Sequence, residues 1–449
     1  MSNFKNQKIA IIGSGITGLA CAWHLNRCGF DFRIFEKNAR IGGHSNTVDT
    51  PSKTPVDTGF IVYNEWTYPN LINLFETIDV DTEASDMSFA ISMDKGNFEY
   101  AGDDFWTLFG QKRNFFRPRM YSMIKDLLRF YKQAPIDLEQ GSASGSLGEY
   151  LKKNNYKDAF IRDHLIPMGS AIWSMPPNQM MGFPAQSFIR FCQNHGLLLL
   201  TDRPEWRTVT GGSREYVRKI TKEFKNKIVI NDAAIQIGRD KGKWKLTTKS
   251  GEVEIFDQIV FACHGDQILD LIETPTDLQT SVLGAFKYSK NTAYLHQDES
   301  LMPKIKKLWS SWNYMGLTNK HSVIDTPVFV TYWMNRLQNY MIEEDYFVSL
   351  NPFKKPALDK TIREINYEHP IFDQDAMDAQ KELNTIQGVD NLWYCGAWCG
   401  YGFHEDGATA GLTVAEQITH IQRPWNVDEK STAKMNCTAL NYKAKNKVA

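Results

Sequence analysis

Cysteine is sparse and unpatterned in this chain: seven residues, at positions 21, 28, 192, 263, 395, 399 and 437, with no C-x-x-C pair. That argues against a disulfide framework and for a reducing compartment. The nearest pair, Cys395 and Cys399, lies in an apolar segment and reads as packing. No His/Cys/Asp cluster has metal-ligand spacing, so no metal is expected. Neither a G-x-S-x-G elbow nor a Cys–His nucleophile signature is present. No apolar run approaches the ~18 residues of a membrane span. The N-terminus is polar and runs straight into a strand, unlike a signal peptide. A net charge of −1 gives no global field for nucleic acid or an anionic membrane. Lys and Arg look scattered, with no basic patch beyond the tail. These absences predict a cytoplasmic protein without a nucleic-acid partner; peripheral contact with a membrane stays open.

What is abundant is aromatic: 12 Trp, 18 Tyr and 26 Phe. Many cluster around Phe105–Tyr131, Trp173, Trp309–Tyr314 and Tyr332–Trp333. They suit both a large aromatic core and a cavity for an apolar small molecule or lipid.

The beginning carries the sharpest motif. Lys8–Ile12 (KIAII) suits a buried strand. Gly13, Gly15 and Gly18 follow in G-x-G-x-x-G spacing, then a helix, then DFRIFEK ending beyond Glu36. This is the order of a dinucleotide-binding βαβ unit. Gly13 permits the turn, Gly15 lets backbone approach a pyrophosphate, and Gly18 allows close helix–strand packing. The helix N-terminus faces the phosphates. Glu36 stands near the ~20-residue offset of a ribose-binding carboxylate, which favours FAD or NAD over NADP. The alternative is an ordinary glycine turn before a helix.

Further on, the chain alternates. Asp104–Ala134, Leu147–Tyr156, Asp158–Trp173 and Ala185–His195 read as helices, with the linker GSASGS at 141–146 and a loop SMPPNQMMGFP. From about 205 strands return: KIVIND, AIQIGRD, KWKLTTKS and EVEIFDQIVFACH. NLWYCGAWCGYGFHEDGATAGLTVAEQI closes with a strand, a glycine loop and a helix. No repeats are present. The fold class predicted is α/β: a discontinuous Rossmann-like dinucleotide domain, with a parallel sheet and β-meander, over residues 1–78, 203–288 and 387–422. An inserted α+β substrate domain takes 79–202 and 289–386. Residues 424–449 read as a disordered tail.

The segment KNARIGGHSNT resembles the R-x-G-G-R-x-x-T/S signature of flavin amine oxidases and phytoene desaturases, with His44 where those families usually carry arginine. HLIPMGSAIWSMPPNQMMGFPAQSFIRFCQNHGLL, RPEWRTVTGGSREYV, SWNYMG, VTYWMNRLQ, FVSLNP and GFHEDG resemble a family of predicted NAD/FAD-binding amine-oxidase-like proteins. That family is often encoded beside cyclopropane-fatty-acid synthases and is similar to the amino-terminal half of the plant enzymes. The likeness runs from about Lys8 to Gln417. It implies an amine-oxidase-like fold and an FAD-dependent oxidoreductase working by hydride transfer on an apolar, fatty-acyl substrate. Two alternatives remain: a non-redox flavin isomerase, and an accessory flavoprotein partnering a fatty-acid-modifying methyltransferase.

The residues expected to hold FAD are Gly13, Gly15, Ile16, Thr17, Gly18, Glu36, Lys37, Arg40, Gly42, Gly43, His44, Asp57, Gly59, Gly211, Gly212, Ala234, Gly396, Ala397, Asp406, Gly407 and Ala408. His404 and Glu405 are the catalytic candidates, since imidazole and carboxylate handle protons. The opposing reading is that HED only caps the closing helix. His164 and His195 are weaker candidates, His195 reading as structural at a helix end beside Gly196, and His264 should cross near the dinucleotide.

Overall fold

The computed structural model describes residues 7–173, 175–318, 328–340 and 344–427. The tail expected to be disordered lies, from 428 on, outside the described residues. Strand β1 (Lys8–Ile12) is the centre of a five-stranded parallel sheet. It pairs on one side with β2 (Asp31–Phe35) and on the other with Gln258–Phe261. Ile228–Val229 and Leu392–Tyr394 complete the edges. Ile9, Ala10 and Ile11 are fully buried, as befits a strand covered on both faces. Helix α1 (Ile16–Arg27) and the closing helix (His404–Thr419) pack together over this sheet. Three antiparallel strands, Ala234–Asp240, Lys243–Thr248 and Val253–Phe256, form the meander.

A seven-stranded sheet is built from strands between Phe89 and Ala101 and between Lys287 and Ile371. Helices from the 105–195 stretch pack beside it, so mixed α/β architecture holds throughout. The single helix expected over Asp104–Ala134 is broken into α3 (Phe105–Leu108), a 3-10 turn at Lys112–Phe116 and α4 (Pro118–Glu139). Pro118 causes the second of these breaks: it restricts Arg117 to extended backbone and then starts the next helix. Asp158–Trp173 is helical but passes through a π turn at Ile161–Leu165 just before Pro167, which lacks an amide proton. SMPPNQMMGFP holds a short helix, Pro177–Gly182, rather than a plain loop. Among the described residues no helix is long and apolar enough to cross a membrane.

Candidate functional site

The two N-terminal helix ends meet because glycine permits it. A Cβ on Gly407 would press on Thr17 Oγ1, and one on Gly411 would collide with the Thr17 carbonyl. Gly18 is likewise closed, since a side chain there would strike the Gly13 carbonyl oxygen. Gly13 itself has φ +105 and its Cβ would lie 2.7 Å from Ala262 O. Gly15 differs: its Cβ would meet nothing within 4 Å. It borders a cavity of about 920 Å³ that also touches Ile16, Thr17, Gly43 and Gly59.

This cavity has two ends. At one stand Glu36, Lys37, Ala234 and the glycine turn; at the other are aromatic and aliphatic walls from Ile172, Trp173, Phe191, Trp312 and Tyr332. Gly13, Arg40, His44, Gly396, Ala397 and His404 also line it. The residues fit a dinucleotide. Gly15 caps α1 without a side-chain bond, and no acid occupies the helix's first turn, so its amides are free for an anion. His44 Nε2 is buried without a hydrogen-bond partner, a polar atom left over for a guest.

Glu36 is buried and tightly engaged. Its Oε2 accepts from the Ser14 amide at 3.1 Å and the Ser14 hydroxyl at 2.6 Å. Oε1 accepts from the Asn38 amide at 2.9 Å and Nδ2 at 2.8 Å. Four acceptor positions are thus filled, and a ribose hydroxyl reaches the carboxylate by displacing the Ser14 or Asn38 side chain.

Several residues expected at the cofactor sit behind the wall instead. Gly42, Asp57, Gly211 and Gly212 do not line the cavity, nor do Gly18, Asp406, Gly407 and Ala408. Asp57 is a hub that accepts from the Ser213 amide at 2.9 Å, from its hydroxyl at 2.7 Å and from Gln338 Nε2 at 2.8 Å. Burial pushes its carboxyl up to about 6 against the lowering effect of these donors. Gly211 and Gly212, both at positive φ, deliver Ser213 to it. Asp406 Oδ2 accepts from the Tyr401 and Phe403 amides at 3.1 and 2.9 Å, tying the 401–403 loop to the closing helix. Burial, then repulsion by Glu405, raises its carboxyl to about 7.

The two catalytic candidates part company. Glu405 points away from the cavity and caps α2 (Pro69–Thr77). It accepts from the Asn70 amide at 3.0 Å, Asn70 Nδ2 at 2.9 Å and the Leu71 amide at 2.9 Å. The capping reading therefore describes Glu405 and Asp406, though Glu405 caps a neighbouring helix. Glu405→Ala should cost about 2–3 kcal/mol of stability by orphaning these donors. Chemical denaturation checks this, with flavin content of the folded fraction unchanged.

His404 does face the cavity. It stacks on Phe60 with centroids 3.7 Å apart, and its Nε2 is 2.9 Å from Ser45 Oγ and 3.3 Å from Tyr216 OH. Burial and the nearby His44 hold its pKa well below the ordinary imidazole value. A lowered pKa leaves the ring neutral around pH 7.

Two wall residues escaped the sequence reading: Tyr367 and His369. Their i, i+2 spacing on the strand Thr361–Ile371 puts both on one face. His44 stacks on Tyr367 at 5.0 Å and lies 5.2 Å from His369. His264 does line the cavity, 6.5 Å from His44 and stacked on Tyr288 at 4.4 Å. Burial first, then mutual repulsion and other nearby positive charge, lowers His44 and His264 to about 4 and His369 to about 3. His195 also reaches the wall, with Nδ1 3.0 Å from Phe191 O. His164 is buried off the cavity, 3.1 Å from Tyr100 OH. Among the described residues no group of three or more His, Cys, Asp or Glu has metal-binding geometry.

Comparison with known proteins gives a consistent picture. The family model described as flavin containing amine oxidoreductase matches residues 16–294. An L-amino acid dehydrogenase of Synechocystis sp. (strain ATCC 27184 / PCC 6803 / Kazusa) is 22% identical over 260 residues, 54% of this chain and 53% of that protein. The chain thus matches about half the length of that relative. A fatty acid isomerase from P. acnes superposes with a TM-score of 0.65 at 14% identity, covering 93% of this chain and 99% of that one. Cyclohexylamine oxidase from Brevibacterium oxydans IH-35A also gives 0.65 at 14% identity, covering 92% and 99%.

Proposed function

We propose a substrate class for this chain, which belongs to the flavin containing amine oxidoreductase family and takes FAD as its cofactor: an apolar, fatty-acyl molecule oxidised by hydride transfer. The observation that carries the reading is the continuity of one cavity, from Glu36 and the glycine turn to the walls at Trp173, Trp312 and Tyr332. Bound FAD supplies the two-electron acceptor. The chain's own part is to bind, orient and keep water out. Gly15 and the free amides of α1 take the pyrophosphate, and Glu36 takes ribose. Gly396 and Ala397 line the same cavity. The apolar walls hold an alkyl chain by burial, at roughly 25 cal/mol per Å² removed from water. Support for the acyl class comes from these walls and from the likeness of the sequence motifs to the family encoded beside cyclopropane-fatty-acid synthases. Partnership with a methyltransferase rests on that likeness alone.

His404, a neutral ring held through Nε2 by Ser45 and Tyr216, positions the substrate or passes a proton. His404→Ala should keep FAD and slow flavin reduction; a positioned acid–base contributes ~10²–10⁴-fold. The rate profile should show no ionisation of this ring between pH 6 and 8, because its lowered pKa leaves it neutral throughout that window. Unchanged rates in His404→Ala confine the residue to packing on Phe60.

A second reading follows from the fold shared with the fatty acid isomerase. Anaerobic mixing with saturated and unsaturated fatty acids and their thioesters separates the two. Stoichiometric bleaching of the flavin supports oxidation. Product without net bleaching supports isomerisation, and neither outcome with any acyl compound removes the acyl class.

A further inference from the structure

Residues 105–136 hold seven Lys or Arg and one acid, Asp126, in a chain that is otherwise nearly neutral. The sequence suited these rings to a core or to an apolar cavity and offered no basic patch before the tail; the structure instead puts several of the rings on the surface beside this basic stretch. Trp106 is 76% exposed and Phe116 89%, with Phe105, Phe115 and Tyr121 exposed beside them. Phe105, Trp106, Phe109, Phe115 and Tyr121 form one cluster, and Phe116 adjoins it in sequence. Phe109 stacks on Phe115 at 4.4 Å and lies 5.1 Å from Phe105, and the Tyr121 hydroxyl donates to Phe115 O at 2.9 Å. Monomers seldom display an apolar patch of this kind without use.

The patch continues along α4. Its inner face buries Met120, Met123 and Phe130. Its outer face, at helical spacing, presents Tyr121, Lys125, Leu128, Lys132 and Ile136, all exposed. Arg119 is paired with Asp163 and Arg129 with Asp126. Lys112, Arg113, Arg117, Lys125 and Lys132 make no ion pair with a carboxylate among the described residues. Arg113 and Arg117 donate to the Asn97 carbonyl at 2.5 and 2.8 Å, which orients them without neutralising them. Of the two acids that precede the cluster in sequence, Asp103 pairs with Arg336, and Asp104 caps α3 through the Thr107 amide at 2.7 Å.

We propose that the aromatic cluster at Phe105–Phe116 and the outer face of α4 dock this protein on a bilayer surface that carries anionic phospholipid. The chemistry on both sides matches. Exposed Phe and Trp settle at the headgroup–acyl boundary, and unpaired Lys and Arg meet phosphate charge. Leu128 and Ile136 add aliphatic contact, which a lipid surface accepts and a stacked nucleic acid does not require. The proposal stands independently of the substrate assigned to the cavity.

The test is sedimentation of the flavin-loaded protein with vesicles of phosphatidylcholine, alone or mixed with phosphatidylglycerol. Binding should favour the mixed vesicles and weaken as salt rises. Trp106→Ser with Phe116→Ser, and separately Lys112→Glu with Arg113→Glu, should each weaken partitioning by at least about tenfold. Leu358→Ser removes an apolar side chain that is 91% exposed elsewhere and should change nothing. Flavin content and melting temperature identify any variant that fails to fold. Absence of vesicle binding, equal binding to both compositions, or parental binding by both double variants overturns the proposal. So does conversion of a dimer to a monomer by the patch variants, or tighter binding to single-stranded oligonucleotide than to mixed vesicles.

Discussion

Gly18→Ala should strip the protein of FAD and lower its melting temperature together. The added methyl would strike the Gly13 carbonyl oxygen, so α1 must move off the turn that presents its amides. Overpacking of this kind costs about 1–3 kcal/mol, or roughly 5- to 150-fold in cofactor affinity if the strain falls on the binding turn. Gly15→Ala should behave differently. Its methyl meets no protein atom within 4 Å, and the residue has ordinary helix-cap backbone at φ −68. It should therefore leave the apoprotein's stability intact while excluding the pyrophosphate. Flavin-to-protein absorbance and thermal unfolding of the pair separate the two effects. Equal behaviour of the two variants would contradict the assignment of Gly15 as the open position.

Glu36→Arg should also release FAD. The substitution removes the acceptor for four donors on Ser14 and Asn38 and puts a cation where ribose hydroxyls are expected. One hydrogen bond to a charged group is worth about 1.5–3 kcal/mol, so the loss in affinity should exceed about tenfold. Glu36→Ala should be milder, because water can serve the freed amides. Equilibrium dialysis of the apoprotein against FAD gives the comparison. Parental affinity in both variants would show that the carboxylate organises the turn without touching the cofactor.

The βαβ unit was legible because its rules are local. Strand burial, glycine sterics at Gly13 and Gly18, and the Glu36 offset all act within about thirty residues, where sequence spacing and spatial distance agree. The second glycine pair was legible for the same reason: Gly43 closes on Gly15 with 3.1 Å between its Cβ position and the Gly15 Cα. Glu405 shows where such reading stops. Its partners Asn70 and Leu71 are more than 330 positions away, so nothing in HEDG announces which helix it caps. Asp57 and Ser213, 156 positions apart, raise the same difficulty. Gly407 looks like a cofactor glycine in sequence, but its space is taken by α1. The 105–121 aromatics were misjudged because composition cannot tell a buried ring from an exposed one. Tyr367 and His369 were missed although their alternation was visible, since a strand's inward face is known only once its sheet is placed.

On the proposed function, one cavity carries FAD at its glycine end and the substrate at its aromatic end. A crystal structure of the FAD-loaded protein tests it most directly. The adenosine ribose should lie beside Glu36, the pyrophosphate over Gly15 and α1, and the flavin ring between Ala397 and His44, facing the chamber of Trp173, Trp312 and Tyr332. Density for FAD outside this cavity, or a flavin ring walled off from that chamber, would contradict it.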